Sequence, residues 1–121
     1  MRARQYAKEI VASKTDTERA SAFLTLFLRD GYDIDKRFGM RMETLMHKAA
    51  RDHNLELAKL LRKNGAYIRI KNLFGNTPYE IANGDAFGSI RFPQMVKFFE
   101  EEIQYSNYKN AIRNSDLIPD G

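Results

Sequence analysis

Thr44–Ala82 reads TLMHKAARDHNLELAKLLRKNGAYIRIKNLFGNTPYEIA, and the rest of the chain can be read as cover for its two ends. Thr44 and Ala49 return 33 residues later as Thr77 and Ala82, with Leu45 aligned to Pro78. A fixed period of this size is the mark of a repeat. Thr44 can cap a helix through its hydroxyl, and Leu45, Met46, Ala49 and Ala50 make a short apolar face with two small residues where another helix must come close. Asn54 offers a second N-cap. Leu57, Ala58, Leu60 and Leu61 then share one face of a helix that Gly65 ends, because Gly adopts the left-handed conformation without steric cost.

Short helix, turn, helix, Gly-turn and extended loop in this order resemble the ankyrin repeat. The family pattern of Thr-Pro-Leu-His-x-Ala-Ala, a turn, Ile/Val-Val-x-Leu-Leu and Gly-Ala-Asp-Ile/Val-Asn is met by Thr44, His47, Ala49, Ala50, Leu57, Leu60, Leu61, Gly65, Ala66 and Ile68. It departs at His53, where the family has Gly, and at Leu45 and Tyr67, where it has Pro and Asp. His is one of the few other residues that accept a positive φ. The resemblance implies an all-α solenoid of about three helix-turn-helix repeats with short β-hairpin-like fingers. It also implies that His47 bonds to the backbone of the adjoining finger.

Outward from this unit, Ala3, Tyr6, Ala7 and Ile10 recur at helical spacing, with Arg2, Arg4 and Lys8 expected largely in water. Thr15-Asp16-Thr17-Glu18 is a capping-box pattern, followed by Ala20, Phe23, Leu24 and Phe27 and ended by Gly31. On the other side, Asn72-Leu73-Phe74-Gly75-Asn76 leads to Thr77 as N-cap and Pro78 at the first helical position. Pro93 restarts a helix with Phe92, Met95, Val96, Phe99 and Ile103 on one face and Glu100, Glu101 and Glu102 mostly solvated. The expected division is a degenerate N-terminal capping repeat at 1–38, a central repeat at 39–71, a C-terminal capping repeat at 72–105 with an insertion at 85–92, and a tail at 106–121. Terminal repeats should be atypical, since each has one face turned to water.

Composition bounds the chemistry. With 121 residues, 43% hydrophobic and 30% charged, the chain is expected to form one domain with a modest core. It has no Cys, so thiolate nucleophiles, disulfides and Cys-based metal sites are excluded. No stretch is apolar enough for a membrane span or a signal peptide, and a cytoplasmic protein is expected. His47 and His53 are the only histidines, without clustered carboxylates beside them, and no nucleophile triad or phosphate loop is recognisable. The expectation is a non-enzyme without cofactor or metal.

The resemblance instead implies a concave protein-binding surface built from finger tips and first helices. On this chain those positions are Met40, Arg41 and Glu43 in the first finger, Lys48, Arg51 and Asp52 on the first helix of the central repeat, and Leu73, Phe74 and Asn76 in the second finger. A Leu-Phe pair at a solvated tip suits a partner contact, because buried aromatic and Arg groups dominate binding energy; the alternative is that Phe74 folds back on Ile70 or Tyr79. Arg37, Arg41, Lys48, Arg51, Arg69 and Lys71 could line the same side. With a net charge of +4, an acidic protein is permitted as partner. The expected function is that of a small inhibitor or adaptor that occludes a protein, with a monomer favoured. Two alternatives are nucleic-acid association through the basic side and self-association through an exposed end.

Overall fold

The computed structural model describes residues 1–84 and 90–114. They form six helices: α1 (Ala3–Ala12), α2 (Thr17–Arg29), α3 (Leu45–Arg51), α4 (Leu55–Lys63), α5 (Pro78–Ala82) and α6 (Pro93–Asn114). No named strand occurs among the described residues. The hairpin-like fingers expected between the helix pairs are loops, of which only the first carries a β-bridge, joining Phe38 to Glu43 in antiparallel sense. The expected insertion lies mostly at 85–89, outside the described residues, as does the end of the tail at 115–121.

Helices pair as α1 with α2, α3 with α4 and α5 with α6, and the pairs stack: α3 packs between α1 and α5, and α2 packs on α4. The apolar periodicity explains this directly. Ala3, Tyr6, Ala7 and Ile10 are buried on α1, Ala20, Leu24 and Phe27 on α2, Leu57, Ala58 and Leu61 on α4, and Met95, Val96 and Phe99 on α6. Helix α3 is different, since Leu45, Met46, His47, Ala49 and Ala50 are all buried. A helix hydrophobic nearly all round is one with neighbours on several sides. That is the position of a middle unit, and the small side chains of Ala49 and Ala50 let the flanking helices come close.

The turns repeat as the helices do. After α2, Gly31 at φ +89° sends its N–H to the carbonyl of Leu28 while Tyr32 N–H reaches Phe27; after α4, Gly65 at φ +94° bonds Arg62 while Ala66 reaches Leu61. Both are the paired-bond helix end that a left-handed Gly permits. Between the helices of each pair, Lys14 at φ 50°, His53 at φ 55° and Gly84 at φ 93° occupy one equivalent left-handed position. His53 thus adopts the left-handed conformation that Gly84 takes at the equivalent turn.

Two details differ from expectation. Asp16 caps α2 by accepting the Arg19 N–H at 3.0 Å, so Thr15 lies one residue outside the helix start. Glu102 is half-buried and paired with Arg62 of α4 at 3.2 Å, which clamps the closing helix rather than leaving the carboxylate solvated. Tyr108 and Ile112 recur at helical spacing, which leaves the tail either to extend the closing helix or to fray, and α6 continues beyond Tyr105 to Asn114. No helix among the described residues is long and apolar enough to cross a membrane.

Candidate functional site

Two loops, from Asp30 to Thr44 and from Asn64 to Thr77, rise from the stack side by side. The first turns at Gly39–Met42, where Met42 N–H bonds the Gly39 carbonyl at 3.2 Å and the Phe38–Glu43 pair closes the base at 2.8 and 3.1 Å. The second is shaped by Asn72, whose side-chain oxygen accepts from the backbone of Phe74 at 3.0 Å and of Asn76 at 2.9 Å. Asn72 N–H also bonds the Asn76 carbonyl at 2.8 Å, and Gly75 takes the positive φ the turn needs. Asn side chains commonly stabilise tight turns through such local bonds.

The loops are tied to each other. Leu73 N–H donates to the Arg41 carbonyl at 2.8 Å, Tyr67 N–H to the Asp35 carboxylate at 3.1 Å, and the Arg37 guanidinium to the Lys71 carbonyl. Burial pushes the Asp35 carboxyl above its usual range, partly offset by the bond from Tyr67. At the base, Glu43 accepts from Arg51 at 2.7 Å and from the Asn72 amide at 2.9 Å. Burial, the largest single influence, would raise the Glu43 carboxyl, but these two bonds together with the nearby positive charge of Arg51 hold the group below its ordinary value. One carboxylate therefore joins both loops to α3.

His47 makes a second tie. Its Nδ1 accepts the Thr44 N–H at 3.1 Å, so Nε2 carries the proton and donates to the Asn76 carbonyl at 3.0 Å. The ring is fully buried, and desolvation lowers its pKa despite the bond to Asn76 and the charge of Glu43. In α5 the matching position is Glu80, which repeats the capping half of the pattern with Thr77 N–H at 3.2 Å.

The residues expected at a partner surface thus separate into groups. Met40, Arg41, Leu73 and Phe74 stand at the loop tips, with Met40 92%, Leu73 63% and Phe74 49% exposed. Glu43 does not belong with them: it is 4% exposed and bonded internally, and Arg51 turns inward to meet it. Asn76 is half-buried, with its carbonyl taken by His47 and Asn72. Of the basic set, Arg37, Arg51 and Arg69 are engaged within the fold, Arg69 with Asn107 of α6 at 2.7 Å.

Lys48 and Asp52 open elsewhere, onto a groove of about 840 Å³ between α1, the Phe38–Gly39 part of the first loop, and α3 with the turn that follows it. Its apolar lining is Ala7, Val11, Ala12 and Phe38; Arg4, Lys8, Lys14 and Lys48 bring positive charge, and Asp52 brings the opposite sign. Reading α1 as a terminal cap hid Arg4, Lys8 and Lys14 from view. Their signal was the i, i+4 spacing of Arg4 and Lys8, which puts both cations on one stripe of the helix. A second cleft of about 690 Å³ lies between α4 and α6, spanned by the Arg62–Glu102 pair. Among the described residues, no three His, Asp or Glu side chains gather as a metal ion would need.

No protein-family model matches the chain. Over 60 residues, half of the chain, it is 33% identical to BRCA1-associated RING domain protein 1 of Caenorhabditis elegans, a protein that contains ankyrin repeats. The match spans 8% of that protein's length.

Proposed function

We propose that the chain is an ankyrin-type stack of three helix pairs that acts as a non-enzymatic protein-binding module, occluding its partner through the loop tips and the exposed side of the first helices. Two observations support the stack: the repeated left-handed turns at Lys14, His53 and Gly84, and the 60-residue likeness to a protein containing ankyrin repeats. The observation that carries the binding half is the cluster of Met40, Arg41, Leu73 and Phe74. Three side chains of kinds enriched in interface cores, Met40, Arg41 and Phe74, stand with the exposed Leu73 at tips whose backbones are joined by the Leu73–Arg41 bond. Loops fixed before binding lose little entropy on association. The absence of Cys suits a reducing cytoplasm.

Capture from an extract of the native host tests this. The chain should retain one dominant protein, and the variant Arg41→Ala/Phe74→Ala should lose it while keeping its helical spectrum and unfolding midpoint. Retention of that partner by the double variant would remove the tips from the binding surface.

A further inference from the structure

The groove beside α1 has a chemistry of its own. Arg4 and Lys8 lie one helical turn apart, about 6 Å along the axis, and Lys14 extends the same wall beyond the helix end. Lys48 faces them from α3. None of the four is ion-paired among the described residues, whereas Arg19, Arg51 and Arg62 each have a carboxylate. Four cations meet one carboxylate, Asp52, over an apolar floor.

We infer that this groove receives an extended acidic peptide segment of a partner protein, with carboxylates at alternate residues. Alternate side chains of an extended chain stand about 6.6 Å apart on one side, close to the spacing of Arg4 and Lys8. The intervening side chains turn the other way, and Ala7, Val11 and Phe38 offer them an apolar floor. Desolvated carboxylates opposite unpaired cations give electrostatic complementarity, and with it orientation and salt-dependent capture. A nucleic-acid strand is favoured less. Its phosphates would match the cations, but its bases need aromatic platforms, and of the two rings in the lining, Phe38 and His53, the second is already packed on Phe92 at 5.0 Å and bonded to the Ile90 carbonyl. The inference rests on the protein-binding reading above and names the chemistry of what the first-helix side of that surface holds.

The test uses the full chain and a fluorescein-labelled, end-blocked Glu-Val-Glu-Val-Glu-Val peptide, with binding read by anisotropy. Saturable binding is expected that weakens about tenfold in the Gln-Val-Gln-Val-Gln-Val peptide and again with Lys8→Glu or Lys48→Glu. Lys97→Glu, an equal charge change on α6, should leave it unaltered, and Asp52→Asn should tighten it. Equal weakening by Lys8→Glu and Lys97→Glu, no saturation with the acidic peptide, or displacement of the peptide by a short oligothymidylate that binds more tightly would each overturn the inference. If the partner captured from the host survives Lys8→Glu/Lys48→Glu yet is lost with Arg41→Ala/Phe74→Ala, the groove is overturned and the tip surface stands; the reverse pattern supports the groove and removes the tips.

Discussion

His47 of α3 donates from Nε2 to the carbonyl of Asn76, 29 residues away at the foot of the next loop, while its other nitrogen accepts the N–H of its own helix cap at Thr44. One ring thus closes a helix and holds its neighbour in register. Glu80, at the matching place in α5, does only the first of these. The comparison separates the two roles. His47→Gln should keep an oxygen for the Thr44 N–H, as Glu80 does for Thr77, and lose the cross-loop bond, costing about 1 kcal/mol. His47→Ala removes both bonds and leaves a cavity, and should cost about 3 kcal/mol. Urea unfolding of the three proteins should rank them in that order.

His47 and Glu43 together make stability depend on pH in two stages. The folded state holds His47 neutral below the ordinary 6.5 because it is buried, so the unfolded chain takes up a proton first as pH falls. Stability from this group is complete above about 6.5 and is lost as pH drops from there through the folded pKa. Glu43 acts lower. Its folded pKa lies below the ordinary 4.5, so its contribution is present above that value and is lost as pH falls through the folded one. Melting temperatures measured from pH 8 to 3 should show both declines. In His47→Gln the upper decline should shrink and the lower should remain.

Glu43 and Arg51 were both read as partner contacts, and together they form the joint beneath the tips. Arg51→Ala leaves a buried carboxylate with Asn72 as its remaining side-chain donor and should cost about 2 kcal/mol, the worth of a hydrogen bond to a charged group. Adding Glu43→Gln removes the stranded charge, so the double variant should be more stable than the sum of the singles predicts. A double-mutant cycle by chemical denaturation measures that coupling, and additive losses would mean that the pair is not the joint.

This pair also shows where reading the sequence stops. Helix faces, caps and Gly turns are local, set by spacings of three and four residues and by φ, so Leu57, Ala58 and Leu61 announced their burial and Gly31 and Gly65 their turns. Glu43 looked solvated because its partners lie 8 and 29 residues on, and only folding brings Arg51 and Asn72 to it. Met40, Leu73 and Phe74 were legible as tips because the turns that raise them are written beside them in Gly39, Asn72 and Gly75. Arg4, Lys8 and Lys14 were not, because a groove belongs to two helices and either strip alone reads as a wet surface. Thr15 and Asp16 can both cap, and the observed choice of Asp16 follows the N-cap ranking, which places Asp above Thr.

Lys14 sets backbone comfort against the groove. Its left-handed φ of 50° costs an L-residue roughly 1 kcal/mol, partly offset because glycine would be freer in the unfolded chain. The bonds at this turn use backbone atoms, including the Lys14 carbonyl that accepts from Asn54 at 3.0 Å, and a glycine would keep them. Lys14→Gly should therefore stabilise the protein by about 0.5 kcal/mol. Gly65→Ala should do the opposite by about 1 kcal/mol, and through the backbone alone, since a Cβ there meets nothing within 4 Å. Lys14→Gly should also weaken the acidic peptide, because it removes one of the four groove cations. A variant that melts higher and binds less would locate the reason for a lysine in a glycine's position; one that melts higher and binds equally would remove Lys14 from the groove.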